Sequence, residues 1–290
     1  MQLETQGPHS AARLLRKVAV LLGVVTLSVV ASAPARADLL QKIKDRGYIT
    51  IGTEARYAPF EFIEKGKIVG YDRDLLAHVM EGLPKVQVKT LDLPWQGLLP
   101  GLAQGKLDFV VTAISVTKER AARYAVTVPV ADATVAFVKR AGDDAIKESK
   151  DVIGKVVGTQ IGSGQLKSTQ EYDATLKKQY GKGIGEIKQY VGFDEAYADL
   201  LNRRTDAVAQ SLPPLLYLQK QHPASYKVIV PPFGPKLYFS WAGRSDADSK
   251  TLVEFFNSRL KELNHNGVMK KLEEKWFGFT MDVPDHSPAP

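Results

Sequence analysis

The sequence contains no cysteine among its 290 residues. It therefore cannot form disulfide bonds, use a thiol nucleophile or carry a lipid on a cysteine, and the fold must depend on its core. Histidine is scarce as well, and His9, His78, His222, His265 and His286 lie far apart, outside the spacing of a metal site. The Gly-x-Ser-x-Gly segment typical of a hydrolase nucleophile is also absent. We therefore expect neither a metal nor an organic cofactor.

The sequence also lacks an apolar run long enough to span a membrane. Its longest apolar run is close to the N-terminus. Three basic residues within positions 13–17 precede the apolar run 18–30, and the small-residue segment 31–37 follows it. This order is typical of a cleaved secretory signal peptide, and the run is shorter than the about 20 residues of a membrane-spanning helix. A membrane anchor is the alternative. We predict cleavage after Ala37, with Ala33 as the rival site, and a mature protein free in the periplasm.

Neither sign of charge dominates strongly. The chain has 39 basic and 32 acidic residues, a formal net charge of +7, and the two signs alternate along the sequence. Such mixing indicates a solvated surface and not the concentrated basic patch that binds nucleic acid. We expect no nucleic-acid partner and a monomer.

Short apolar strands alternate with amphipathic helices through most of the chain. Strands are predicted at residues 48–52, 86–91, 107–113, 156–158, 186–190 and 206–210. Helices are predicted at residues 72–81, 94–105, 165–180, 194–203, 248–266 and 268–275. This alternation predicts an α/β fold with parallel sheets flanked by helices. Three prolines and few apolar residues mark positions 279–290, so we expect a flexible tail there.

One pattern occurs twice. Residues 101–113 and 199–211 each read as a helix end, a tight turn, an aspartate and a buried strand. The repetition is either a coincidence between two common units or a sign of two lobes with similar topology. In open parallel sheets, ligands bind beyond the carboxyl ends of the strands. Two lobes would place Ala113 and Ser211 at equivalent strand ends, facing each other across a cleft.

Two further segments could bind an anion. Thr117 is a good helix cap, and Arg120 follows at the start of that helix, where its planar fork can hold a carboxylate through two charge-assisted hydrogen bonds. The turn around Ser163 and Gly164 also leads into a helix and can present backbone N–H groups. The plainer alternatives are a solvated surface arginine and an ordinary tight turn.

Aromatic and acidic residues follow the first strand. Glu54 could meet a cationic group, and Tyr57 and Trp95 could wall a cleft. The alternative is that these aromatic residues belong to the core, which is the better interpretation for Phe60. The sequence also leaves open a pair of carboxylates for acid–base chemistry, because it does not fix their separation.

Taken in order, seven segments resemble the amino-acid class of periplasmic solute-binding proteins of ABC transporters, the bacterial extracellular solute-binding proteins of family 3. The segments are Gly52–Glu61 (GTEARYAPFE), Gly70–Leu75 (GYDRDL), Gly105–Asp108 (GKLD), Ser115–Arg120 (SVTKER), Gly192–Glu195 (GFDE), Thr205–Val208 (TDAV) and residues 267–278, which end in KWFG. The resemblance implies a two-lobed periplasmic-binding-protein type II fold, with a central sheet flanked by helices in each lobe and a two-strand hinge. Lobe 1 would be residues 38–133 plus 236–278, and lobe 2 residues 134–235.

The resemblance also implies roles for individual residues. Arg120 is similar to the arginine that clamps the α-carboxylate of the ligand, with Ser115 and the backbone of Ala113 as neighbouring partners. Ser163 and Gly164 occupy the place of a hydroxyl-bearing pair in lobe 2, although Gly164 has lost the hydroxyl.

Around the ligand side chain, the same resemblance implies that Tyr57 covers it, Trp95 forms an apolar wall and Glu54 meets a polar or cationic group. The departure is Ser211, since the family usually has an aspartate there that pairs with the ammonium. A buried ammonium without a carboxylate costs several kcal/mol. Either Glu54 or another acid replaces the aspartate, or the ligand lacks a free α-ammonium.

The sequence therefore predicts a solute-binding protein, not an enzyme, that delivers an amino acid or related carboxylate to a transporter permease. The alternative is a cyclohexadienyl dehydratase, which resembles the same scaffold. It would need a proton donor in the cleft, for which Glu54 is the candidate.

Overall fold

The computed structural model describes residues 38–286, so the predicted signal peptide lies outside the described residues. Within this range the helices are α1 Leu39–Arg46, α2 Tyr71–Met80, α3 Trp95–Ala103, α4 Lys118–Arg123, α5 Gly164–Tyr180, α6 Phe193–Leu201, α7 Leu212–Gln221, α8 Lys250–His265 and α9 Val268–Trp276. Short 3₁₀ turns occupy Ser149–Val152 and Ala247–Ser249.

Six of the strands in the described residues lie close to the predicted positions. The strands of this range are β1 Tyr48–Thr53, β2 Arg56–Tyr57, β3 Glu61–Glu64, β4 Lys67–Val69, β5 Gln87–Asp92, β6 Phe109–Ser115, β7 Tyr124–Val126, β8 Ala131–Asp132, β9 Val135–Arg140, β10 Val156–Gln160, β11 Glu186–Tyr190, β12 Ala207–Ser211, β13 Tyr226–Phe233 and β14 Tyr238–Arg244.

Two sheets of the same pattern organise the chain. The first has the order β5–β1–β6–β14–β7, with β8 also paired to β14, and the second has the order β11–β10–β12–β9–β13. In each, three strands joined through helices run parallel, and β14 or β9 is antiparallel to its neighbour. Helices pack on these strands, as the alternating pattern predicts. The α/β prediction is therefore confirmed.

The antiparallel strands and the small sheet β2–β3–β4 were not predicted. Two of them explain how the sheets are connected. The chain passes from the first sheet to the second between Asp132 and Val135, and returns between Phe233 and Tyr238. We use "first lobe" and "second lobe" for the parts of the chain that form the first and second sheet. The predicted boundaries at 133/134 and 235/236 stay a prediction.

The repeated sequence pattern corresponds to a repeated structure. Asp108 precedes β6; its carboxylate accepts from the backbone N–H of Thr50, and its own N–H donates to the Thr50 carbonyl. Asp206 precedes β12 and makes the same pair of bonds with Val156, at 2.9 and 2.8 Å. Each aspartate thus fixes the register of a central strand against its parallel neighbour. Consequently, the carboxyl ends of both pairs of strands lie at equivalent edges of the two sheets.

The C-terminal segment differs from the flexible tail expected at 279–290. Met281 and Val283 are buried in the core, and the backbone N–H of Met281 donates to the Glu273 carboxyl group at 2.8 Å. The two apolar side chains were too few to give a periodic pattern, but they suffice to anchor the segment. None of the helices in the described chain is long and apolar enough to cross a bilayer.

Two carboxyl groups are buried inside the first lobe. Glu61 and Asp72 are both fully inaccessible to solvent, and the hydroxyl of Thr112 donates to Glu61. Burial raises the pKa of Glu61 well above its usual range, with a further contribution from Asp72, and burial raises the pKa of Asp72 to about 7. At neutral pH the pair therefore retains a proton that the unfolded chain has released.

This pair predicts a pH-dependent stability. Because the folded-state pKa values are raised, its contribution is fully present below about pH 4 and is lost as the pH rises through 7. Glu61→Gln keeps an acceptor for Thr112 and removes the titration of Glu61, while the buried Asp72 still titrates. We expect this variant to match the wild type at pH 5 and to be about 1 to 3 kcal/mol more stable at pH 8, as measured by thermal and urea unfolding.

Glu64→Gln, an exposed glutamate of the same strand, is the matched control and should leave the pH profile unchanged. A stability difference between Glu61→Gln and the wild type that is the same at pH 5 and pH 8 would contradict the prediction.

Candidate functional site

The carboxyl ends of β1, β6 and β10 and the N-termini of α3 and α5 surround a small central cavity between the lobes. Its lining comprises Glu54, Tyr57, Trp95, Thr112, Ala113, Ser115, Arg120, Gln160, Ser163, Gly164 and Gln165. Eight of the nine residues predicted from the sequence are thus brought together, and Ser211 is not among them. The cavity volume is only about 10 Å³, room for one water molecule, so the lobes are in contact.

Arg120 is positioned by the cap of its own helix. The Thr117 hydroxyl accepts from the backbone N–H of Arg120 at 3.3 Å, which fixes the first turn of α4 directly after β6. The guanidinium then lies 4.7 Å from the centre of the Trp95 ring and donates to the carbonyl of Ser115 at 2.9 Å. Its remaining bond, at 3.0 Å, goes to the carbonyl of Gly162 in the second lobe.

The charge of Arg120 has no carboxylate partner. Within residues 38–286 no acidic group lies within ion-pair distance of its guanidinium, and the adjacent Glu119 pairs with Lys167. Burial lowers the pKa of Arg120 to about 10, so the side chain remains cationic at neutral pH. A half-buried guanidinium that donates only to neutral carbonyls is a strong site for an anion, and a carboxylate fits its planar fork.

Glu54 is the acidic group of the cavity. It is only 5% exposed, and its carboxyl group accepts from the side-chain amide of Gln160 at 2.7 Å. Burial raises its pKa to about 7, while the bond from Gln160 and the charge of Arg56 partly oppose this rise. Glu54 is therefore poised between its neutral and charged forms near neutral pH.

A chain of amides surrounds Tyr57. The Tyr57 hydroxyl donates to Gln210 at 2.7 Å and accepts from Gln165 at 3.0 Å, so both partners lie in the opposite lobe. Because all three side chains are buried, these bonds replace water that the groups would otherwise need. Tyr57 thus covers one end of the cavity, where the resemblance placed it.

Ser211 does not line the cavity, and this part of the site prediction needs correction. Its hydroxyl donates to the carbonyl of Ala133 at 3.1 Å and accepts from Gln165 at 2.8 Å. Gln165, which does line the cavity, is thus bonded directly to Ser211. Among the described residues, no carboxyl group is bonded to the Ser211 side chain.

Sequence reasoning missed Thr112, Gln160 and Gln165 as lining residues. Thr112 is one residue before the predicted Ala113, and Gln160 and Gln165 flank the predicted turn. The sequence marks these three residues only by their position, at the end of a strand or in the first turn of a helix. Amide side chains are too common at such places to be singled out.

The turn before α5 contributes both a cap and a close contact. Ser163 caps the helix, because its hydroxyl accepts from the backbone N–H of Leu166 at 3.0 Å and donates to the carbonyl of Gln160 at 2.7 Å. Gly164 lies directly against the first lobe: a Cβ atom there would approach the Cβ of Ser115 to 2.5 Å. The absence of a side chain at 164 therefore permits this contact between the lobes.

In the part of the chain that the structure describes, no three His, Asp or Glu side chains are grouped so that they could hold a metal ion.

A fold of two similar lobes with an anion site between them defines a ligand-binding protein, and the comparison with known families agrees. Residues 49–279 match the bacterial extracellular solute-binding proteins, family 3. The chain belongs to this family, so the prediction from the sequence segments is confirmed.

Two curated relatives are similar over most of their length. The L-cystine-binding protein TcyJ of Escherichia coli K12 is 27% identical over 264 residues, covering 89% of this chain and 94% of the relative. The probable amino-acid-binding protein YxeM of Bacillus subtilis is 32% identical over 270 residues, covering 90% and 96%. These relatives are solute-binding proteins and not enzymes.

Solved structures share the two-lobed fold. A P235GK mutant of the arginine-binding protein of T. maritima has a TM-score of 0.71 and 31% identity, covering 82% of this chain and 98% of that one. An ancestral amino-acid-binding protein, described as a precursor of cyclohexadienyl dehydratase, also has a TM-score of 0.71, with 28% identity and coverage of 83% and 100%. The dehydratase alternative is thus represented here only through a distant neighbour that is itself a binding protein.

The contact between Gly164 and Ser115 predicts the effect of an added methyl group. Gly164→Ala should push the lobes apart and disfavour the closed arrangement by about 1 to 3 kcal/mol, because the Ser115 side chain leaves no room for the Cβ. Since the chain has no cysteine, Lys106→Cys and Lys182→Cys provide exposed labelling sites in the two lobes, and their separation is measured by spin-label distances. Ser115→Gly in the same chain should restore the shorter separation. An unchanged separation in Gly164→Ala would contradict the prediction.

Proposed function

We propose that this chain is exported through a cleaved signal peptide and acts in the periplasm as a monomeric binding protein for a small carboxylate-bearing ligand, an amino acid or a derivative of one. It would deliver that ligand to the permease of an ABC transporter. The observation that carries the proposal is the half-buried guanidinium of Arg120 above Trp95, which has no acidic partner within residues 38–286. The amino-acid specificities named for TcyJ and YxeM support the ligand class.

Binding would begin on the first lobe. The ligand carboxylate meets Arg120, with the Ser115 hydroxyl and the backbone at Ala113 beside it, and the second lobe then closes over it. The bonds from Arg120 and Trp95 to the Gly162 carbonyl, each 3.0 Å, link the lobes where the carboxylate would lie. A ligand would therefore exchange bonds between the lobes for bonds to itself, which couples binding to movement of the lobes.

The ligand side chain would meet a polar environment. Glu54, Gln160 and Gln165 line the cavity opposite Arg120. With Ser211 neutral and outside the cavity, Glu54 is the one lining acid that can pair with an ammonium. Whether the site prefers a ligand with or without an ammonium therefore depends on the charge state of Glu54. The pH dependence of binding reports this charge state.

Removing the clamp predicts a large loss of affinity. Arg120→Ala should weaken binding of the ligand by about 2 to 5 kcal/mol, because the buried carboxylate loses its counter-charge. Arg120→Lys should recover only part of this, since an ammonium cannot form the two parallel bonds. Isothermal titration calorimetry on ligands found by a thermal-shift screen of amino acids and organic acids measures both effects. Arg123→Ala, on the same helix, is the control, and an unchanged affinity in Arg120→Ala would remove Arg120 from the site.

Glu54 predicts opposite pH dependences for two ligand types. A ligand with an ammonium needs ionised Glu54, so its affinity should fall by up to about tenfold per unit as the pH drops below the pKa of about 7. A carboxylate without an ammonium prefers neutral Glu54, so its affinity should fall as the pH rises above 7. Titrations between pH 5.5 and 8.5, in buffers of different ionisation enthalpy, report the protons exchanged. Glu54→Gln should flatten either profile; a profile that this variant leaves intact would assign the titration to another group.

A further inference from the structure

A second cavity, which we call the outer chamber, adjoins the central cavity. Its volume is about 380 Å³, and the Tyr57 side chain lines both spaces. Much of its wall is apolar and is formed by Phe62, Phe193, Tyr197, Tyr217, Pro214 and Leu218. Ligand pockets in proteins usually have volumes of about 300 to 1,000 Å³, so the chamber has the size and lining of a binding site, whereas the central cavity alone is too small.

The Tyr57 side chain borders both spaces, and each of its two amide partners borders one of them. The Tyr57 hydroxyl donates to Gln210, which lines the outer chamber, and accepts from Gln165, which lines the central cavity. Neutral hydrogen bonds of this kind contribute about 1 kcal/mol each to stability, and a ligand with polar atoms can replace them. A modest rotation of Tyr57 would therefore join the two spaces into one elongated site.

The rim of the outer chamber carries an uncompensated cation. Arg56 lines the chamber and is exposed, and its side chain makes no hydrogen bond or ion pair with any residue in 38–286. Its charge nevertheless acts on Glu54, which lines the central cavity, so Arg56 lies near the junction of the two spaces. Asp194 also lines the chamber and also acts on Glu54. The rim thus offers a free guanidinium fork with an acid close by.

We propose that the outer chamber is the second half of the ligand site and receives the distal part of an elongated dicarboxylate. This inference rests on the proposed function, in which Arg120 holds the first carboxylate. The spacer of the ligand passes the Tyr57 ring and contacts the aromatic wall, and the second carboxylate binds the Arg56 fork through charge-assisted hydrogen bonds. Asp194 can accept an ammonium next to that carboxylate, so both plain dicarboxylates and molecules with two amino-acid ends have the required chemistry.

Matched ligand pairs separate the contribution of the distal carboxylate. 2,6-Diaminopimelate differs from L-lysine by one carboxylate, and octanedioate differs from octanoate in the same way. Calorimetric dissociation constants for both pairs are measured with the wild type, Arg56→Gln and Arg56→Lys. Arg203→Gln, an exposed arginine of the second lobe that lines neither cavity, is the control.

We expect the diacid to bind about five- to tenfold more tightly than its partner in at least one pair. This ratio should fall to about one in Arg56→Gln, recover in part in Arg56→Lys and stay unchanged in Arg203→Gln. Two results would overturn the inference alone: binding of short monocarboxylates through Arg120 with no preference for diacids, or a diacid preference that Arg56→Gln preserves. If the wild type binds no carboxylate, the proposed function fails and this inference fails with it.

Discussion

The candidate site depends on one half-buried cation that has no counter-charge among the described residues. Arg120 is held between the Trp95 ring and two backbone carbonyls, at distances of 4.7, 2.9 and 3.0 Å. Desolvating a guanidinium costs several kcal/mol unless an anion compensates it, and no acid of the described chain does so. A bound carboxylate would therefore supply the counter-charge that Arg120 lacks. For this reason Arg120, and not the surrounding amides, should dominate the affinity for the ligand.

The architecture places this cation at a junction between two similar halves. Asp108 and Asp206 fix equivalent strand pairs by the same backbone bonds, so both sheets direct their strand ends toward one cleft. Contact between the halves is close at Gly164 and Ser115 and includes the aromatic pair Tyr57 and Phe193, whose ring centres are 5.6 Å apart. Under the proposed function, bonds such as those of Arg120 and Trp95 to Gly162 would be exchanged for ligand bonds. A site divided in this way would make lobe closure and ligand binding a single equilibrium.

Polarity in the cleft is carried mostly by neutral amides. Gln165 and Gln210 connect Tyr57 and Ser211 in one buried network, and Gln160 separately bonds Glu54. Such groups can donate and accept, so they suit ligands of mixed polarity, whereas an aspartate at position 211 would have selected an ammonium. Under the proposals made above, these amides and the aromatic chamber next to Tyr57 would suit a ligand longer than a simple short amino acid.

The sequence by itself determined the α/β fold, the parallel strands of both sheets with the helices that join them, the family and eight of the residues that line the central cavity. These features follow from local properties of the sequence: apolar periodicity, helix caps such as Thr117, and the seven short segments in their order. Such properties can be recognised without knowing the tertiary structure. Only the tertiary structure decided the rest. It bonded Gln165 to Ser211 at the edge of the cavity and packed Met281 into the core. It also added one antiparallel strand next to the parallel strands of each sheet, β14 in the first and β9 in the second. These outcomes depend on which side chains, distant in sequence, come within a few ångströms of each other in the folded chain. The local sequence pattern around a residue does not show which distant residues it will contact.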